Sequence, residues 1–120
     1  MTKKTHKDLD CWKMSMVFVT KIYEMTKNFP AAEAYGLTSQ LRRSAISIPS
    51  NIAEGAARKS NKEFIQFLYI ALGSVAETET QLEIASRIGY LDNVTDLNNQ
   101  ITDIRRLTQG LIRYLKENKN

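Results

Sequence analysis

Histidine and cysteine are nearly absent from this chain, which has one of each, His6 and Cys11, in 120 residues. A single cysteine cannot close a disulfide within the chain or supply a metal site built on several thiolates. The di-iron sites of some helical bundles need two Glu-x-x-His pairs, and the common nucleophile systems need a histidine as base. The sequence therefore predicts no catalytic residue, no metal site and no cofactor, and we expect a protein that is not an enzyme.

Proline and glycine are also scarce, at two and five residues. So few breaking residues favour long helices, and the scattered glycines form no phosphate-binding loop. No apolar run approaches the ~18 residues of a membrane-spanning helix, and the first eight residues lack the apolar core of a secretory signal. We expect one domain over residues 1–120, in the cytoplasm and away from membranes, with residues 1–7 as a flexible tail.

Apolar residues recur at alternating spacings of three and four in four segments, a pattern typical of helices that cross at shallow angles. The predicted helices cover residues 8–28, residues 38–57, the segment from Ser60 to Gly89, and the segment after Asp92. Short connections between segments of similar length predict an all-α fold, an antiparallel up-down-up-down four-helix bundle.

The second predicted helix has an apolar face and, opposite to it, a face of small hydroxyls between an arginine and a glutamate. We interpret the second face, together with one glutamate of helix three, as a structural polar stripe that is packed and not simply hydrated. Its residues are Arg43, Ser47, Ser50, Glu54 and Glu77. We expect Glu54 or Glu77 to pair with Arg42 or Arg43. Pro49 lies within this helix and is expected to kink it.

Helices one and three carry more apolar residues than the core of one bundle needs. A four-helix bundle leaves each helix an outer face, and an apolar outer face has to be covered. The natural cover is another copy of the chain. The candidate oligomer-interface residues are Val17, Phe18, Ile65, Tyr69 and Leu72.

The net charge is +4, and it is unevenly distributed along the chain. Residues 1–60 hold ten Lys/Arg against five Asp/Glu, whereas residues 61–120 hold seven against eight. The excess of positive charge in residues 1–60 is expected to attract polyanions such as nucleic acid. The candidate nucleic-acid-binding residues are Lys3, Lys4, Lys7, Lys13, Arg58, Lys59, Arg105, Arg106 and Arg113.

Several segments occur in the order that is typical of one protein family. They are Asp-Leu-Asp-Cys-Trp-Lys (8–13), Asn-Phe-Pro-Ala-Ala-Glu-Ala-Tyr-Gly-Leu (28–37), the serine-rich stretch 40–55, Glu-Phe-Ile-Gln-Phe-Leu (63–68), Gly-Ser-Val-Ala-Glu-Thr-Glu-Thr-Gln-Leu (73–82) and Ile-Gly-Tyr-Leu (88–91). Over residues 8–115 the chain resembles the four-helix-bundle proteins encoded within intervening sequences of bacterial 23S rRNA genes. The resemblance implies a ring-like homopentamer. It also implies kinship with accessory proteins of diversity-generating retroelements, which bind nucleic acid and a reverse transcriptase.

Two functions follow from these patterns. The first is a non-enzymatic oligomer that binds structured RNA or duplex DNA through phosphate contacts, because the sequence shows no evident exposed aromatic residues for base stacking. The alternative is a protein-interaction scaffold or adaptor with no physiological nucleic-acid ligand. For that alternative, the resemblance suggests a reverse transcriptase as the protein partner.

Overall fold

The computed structural model describes residues 5–118, which form four α-helices and two short 3-10 turns. The helices are α1 (Asp10–Thr26), α2 (Leu37–Ala56), α3 (Asn61–Arg87) and α4 (Thr95–Glu117). Consecutive helices pack against each other, and α4 packs against α1, in a body of 47 × 23 × 20 Å. The all-α four-helix prediction is confirmed. The helix α2 continues through Pro49, and the kink expected there stays a prediction.

The segment before α1 is partly ordered by its own side chains. His6–Asp8 form a 3-10 turn, in which Thr5 accepts from Lys7 N–H and Asp8 accepts from Thr5 N–H. These residues belong to the tail expected from the sequence. Residues 1–4, the rest of that tail, lie outside the described residues.

The core is built from one apolar stripe on each helix. Phe18 and Ile22 of α1 pack there with Leu41 of α2, Leu68 of α3 and Ile104 of α4, all fully buried. The prediction that Phe18 belongs to an oligomer interface is therefore wrong. The helix α1 is apolar on several sides around this position, so periodicity alone did not show which side points inward.

The helices α2 and α3 share the most extensive contact in the bundle, and Gly55 permits their close approach. A Cβ on Gly55 would lie 2.7 Å from Phe67 Cβ and 2.9 Å from Phe64 Cδ1, closer than carbon atoms pack. One turn further, the guanidinium carbon of Arg58 lies 4.7 Å from the centre of the Phe67 ring. Glycine is thus required here by space.

Glu33 ties together the two connections at the other end of the bundle. Its carboxylate accepts from the Leu37 N–H at 3.1 Å and from the Tyr90 hydroxyl at 2.8 Å. These two hydrogen bonds lower the pKa of Glu33, so the carboxylate is ionised at neutral pH. It serves α2 as an N-terminal cap, which Gly36 cannot supply. Tyr90 follows Gly89, whose φ of +88° ends α3 as predicted.

Replacing Gly55 and Gly73 with alanine should change stability in opposite directions. Gly55→Ala should lower the free energy of unfolding by about 1–3 kcal/mol, because its methyl group overlaps Phe67. Gly73→Ala, with no atom within 4 Å of the added carbon, should raise it by about 0.5–1 kcal/mol through helix propensity. Urea unfolding at one protein concentration measures both. Equal effects would contradict the close-approach explanation.

Candidate nucleic-acid interface

The antiparallel topology brings three cation-bearing segments of the chain to one half of the bundle. At the start of α3, Asn61 Nδ2 donates to the Asn118 carbonyl just past α4. Trp12, near the start of α1, lines the same surface depression as Ala53, near the end of α2. The starts of α1 and α3 therefore lie beside the ends of α2 and α4. We call this part, residues 5–17, 48–74 and 108–118, the basic half.

The basic half contains seven Lys/Arg and five Asp/Glu, whereas residues 18–47 and 75–107 contain seven and eight. All seven of its cationic side chains are exposed. They are Lys7, Lys13, Arg58, Lys59, Lys62, Arg113 and Lys116. Within residues 5–118 only Arg58 of this set forms an ion pair, with Glu54 at 3.3 Å. The other six keep their charge available for a polyanion.

The remaining candidate cations are not part of this group. Arg105 donates to Glu79 Oε1 at 2.8 Å across the α3–α4 contact, so its charge is already compensated. Arg106 is exposed on α4 outside the basic half. Lys3 and Lys4 lie outside the described residues.

Sequence reasoning missed Lys62 and Lys116 as members of this group. Both line one surface depression between α3 and α4, although they are far apart in the sequence. The predicted antiparallel pairing of α3 with α4 contained the necessary signal, because it places the start of one helix beside the end of the other.

The polar stripe of α2 is packed within this chain only at Ser47. Its hydroxyl oxygen lies 2.8 Å from Ser74 Oγ of α3 and accepts from Asn51 Nδ2 at 2.9 Å. The other members, Arg43, Ser50, Glu54 and Glu77, are exposed. Contact of these four with another molecule stays a prediction.

The prediction that Glu54 or Glu77 pairs with Arg42 or Arg43 is wrong. Glu54 pairs with Arg58, one helical turn away, whereas Arg43 lies about three turns away along the same face. Arg42 instead joins α2 to α1, donating to Thr26 Oγ1 at 2.9 Å and packing 4.5 Å from the centre of the Tyr23 ring.

Beneath the stripe, buried polar side chains that the sequence did not single out connect α2 to α3. Ser44 Oγ donates to Gln81 Oε1 at 2.8 Å, and Thr78 Oγ1 lies 2.8 Å from Ser44 Oγ and 2.8 Å from the Ser74 carbonyl oxygen. Because each of these hydroxyls has a partner, the network avoids the cost of burying unpaired polar groups. It fixes the register of the two helices.

The single histidine and the single cysteine both lie near the start of α1. His6 packs edge-on against Trp12, with ring centres 5.2 Å apart. Burial raises the pKa of the Cys11 thiol, which therefore stays protonated at neutral pH. In the range 5–118, no three His, Cys, Asp or Glu side chains are grouped to hold a metal ion. None of the helices in that range is both long and apolar enough to cross a bilayer.

Two of the remaining candidate oligomer-interface residues are well exposed. Val17 is 54% exposed and Tyr69 is 50% exposed. Ile65 and Leu72 are half-buried and pack against the core. Other exposed apolar residues include Met16 on α1 and Ile70 on α3.

The fold and its surfaces define an antiparallel four-helix-bundle protein with a basic half. The profile of the 23S rRNA-intervening sequence protein family matches residues 7–110, and the chain belongs to this family. A comparison with curated proteins gave no match. Among solved structures, the chain is similar to a protein of unknown function from the S23 ribosomal protein family of Bacteroides thetaiotaomicron VPI-5482. The two are 31% identical with a TM-score of 0.76, over 85% of this chain and 97% of that chain. The family resemblance seen in the sequence is confirmed.

Removing the buried hydroxyl of Thr78 should destabilise the bundle. Thr78→Val keeps the side-chain shape but leaves the buried Ser44 hydroxyl without one of its neighbours, so the free energy of unfolding should fall by about 1–3 kcal/mol. The matched control is Thr80→Val, whose exposed hydroxyl bonds only to the Ala76 carbonyl and should change stability by about 0.5 kcal/mol or less. Equal effects in urea unfolding would show that the network does not hold α2 to α3.

Proposed function

We propose that the protein is a non-enzymatic bundle of the cytoplasm that binds structured RNA or duplex DNA through phosphate contacts from its basic half. The observation that supports this function best is the charge arrangement. Six exposed cations of that half have no ion-pair partner among the described residues. Such side chains gain most from a polyanion, because they give up no existing pair in order to bind it.

Binding of this kind depends on phosphates and tolerates changes of base sequence. Arg58, Lys59 and Lys62 lie around the α2–α3 turn, and Arg113 and Lys116 lie on the last two turns of α4. Each phosphate that these side chains neutralise releases condensed counterions. Self-association would repeat the surface and add avidity without any new contact within the chain.

Charge reversal in the basic half tests this function. Lys59→Glu with Arg113→Glu should weaken binding to a short duplex by about 10-fold or more, because phosphate contacts are replaced by repulsion. The matched control is Lys27→Glu with Arg106→Glu, an exposed pair outside the basic half that changes the net charge equally. Fluorescence anisotropy with labelled oligonucleotides measures both.

Two outcomes would count against the basic half. Equal weakening by both double variants would show that net charge, and not this surface, governs binding. Absence of binding by the parent protein, even at low salt, would refute the nucleic-acid function itself.

A protein-interaction scaffold is a second candidate function, favoured by the exposed apolar residues. Met16 and Val17 lie on α1 and Ile70 lies on α3, two helices that are diagonal to each other in the bundle. Apolar patches on different sides of a molecule fit head-to-tail association, which closes into a ring when the rotation allows it. The homopentamer implied by the family resemblance is the proposed ring, and a reverse transcriptase is the proposed protein partner.

Self-association through α1 can be tested with one charged substitution. Val17→Glu should shift the sedimenting species toward the mass of one chain, because a carboxylate replaces apolar surface that the interface would bury. Thr102→Glu, at an exposed polar position of α4, should leave the mass unchanged. A parent protein that sediments as a single chain at all concentrations would contradict the ring.

A further inference from the structure

A small groove lies between α3 and α4 within the basic half, with a volume of about 330 Å³. Its apolar lining includes Ile65, Tyr69 and Leu115, and two cations, Lys62 and Lys116, line it as well. The amide of Gln66 adds a polar group that can both donate and accept hydrogen bonds. The groove thus combines apolar surface, positive charge and the amides of Gln66 and Asn61.

Tyr69, which the sequence placed in the candidate oligomer interface, is the exposed aromatic residue of the groove. The Tyr69 side chain is half exposed. The Lys116 ammonium lies 5.6 Å from the centre of the Tyr69 ring and donates to the Tyr69 hydroxyl at 3.1 Å. We expected no evident exposed aromatic residue for base stacking, and the structure corrects this expectation. An exposed ring beside cations is the combination that single-stranded nucleic acid uses, with bases on the ring and phosphates on the cations.

We propose that this groove binds one unpaired nucleobase of RNA or single-stranded DNA, with the base stacked on Tyr69. Lys62 and Lys116 contact the flanking phosphates, and the Gln66 amide faces an edge of the base. The proposal rests on the proposed nucleic-acid function and makes it more specific. It predicts a preference for nucleic acids that have an unpaired segment beside a helix.

Size and charge favour this occupant. The volume is at the lower end of the roughly 300–1,000 Å³ of small-molecule sites, which suits one base and not a base pair. Lys116 is exposed and its charge sits on a long stem with several rotatable bonds, so it can turn from Tyr69 toward a phosphate.

A second copy of the chain is the competing occupant, and charge disfavours it. The exposed apolar residue of α1, Val17, lines a depression together with Lys13. Docking this surface into the groove would bring Lys13 toward Lys62 and Lys116, where like charges repel each other.

The test compares three labelled oligonucleotides: a blunt duplex, the same duplex with a short single-stranded overhang, and the same overhang with abasic sites. The abasic overhang keeps the added phosphates but has no base. The parent protein should bind the intact overhang about 10-fold more tightly than the blunt duplex, the size of one stacking contact. Fluorescence of 2-aminopurine in the overhang should be quenched on binding.

Two variants assign this gain to the ring of Tyr69. Tyr69→Leu should lose the gain and the quenching while binding the blunt duplex like the parent, and Tyr69→Phe should keep both. Because the side chain is half exposed, neither change should prevent folding, which thermal melting checks.

Results that refute the groove assignment differ from results that refute the proposed nucleic-acid function. A gain that survives in Tyr69→Leu, or with the abasic overhang, would mean that only extra phosphates bind, and the groove assignment would be wrong. Loss of oligomer mass in Tyr69→Leu with the gain retained would assign the groove to a second copy. Failure of every oligonucleotide to bind the parent would overturn the proposed function together with the groove assignment.

Discussion

The packing of α2 against α3 is the interaction on which the rest of the structure depends. Gly55 allows the helices to approach closely, and the hydrogen bonds among Ser44, Thr78 and Gln81 fix their register. This register sets where α3 begins and therefore where the cations of the α2–α3 turn lie. The helix α4 then returns along α3, and the bond from Asn61 to the Asn118 carbonyl holds its end beside that turn. The basic half is thus a consequence of helix register.

The charge balance differs between the two parts of the bundle, because acidic residues outnumber cations only in residues 18–47 and 75–107. In residues 18–47 and 75–107, Arg87 pairs with Glu83 and Arg105 pairs with Glu79. In the basic half, cations cluster at the ends of α2 and α4, where the partial negative charge of each helix end favours them. This interaction is weak at exposed sites, so these side chains can still contact phosphates. Exposed cations with weak partners are suited to reversible binding of a polyanion.

The helices could be predicted from the sequence to within about three residues at their boundaries, since capping residues and apolar periodicity are local signals. The side of α1 that faces the core could not be predicted, because α1 is apolar on several sides around Phe18. The pairing of Ser44 with Thr78 and Gln81 joins residues distant in the chain, and periodicity carries no such information. Lys62 and Lys116 are also distant in the chain, but the predicted antiparallel pairing of α3 with α4 was sufficient to place them near each other. The apolar pattern of α3 placed Tyr69 on an outer face, but only the structure shows that its side chain lines a groove with Lys62 and Lys116.

The most direct test of the account is the salt dependence of duplex binding by the unmodified protein. If the basic half contacts several phosphates, the logarithm of the association constant should fall linearly with the logarithm of salt concentration, with a slope of about −0.9 for each phosphate contacted. A slope of about −3 or steeper would support a surface of several cations. Binding that is absent at low salt, or that does not change with salt, would contradict a phosphate-directed function for this surface.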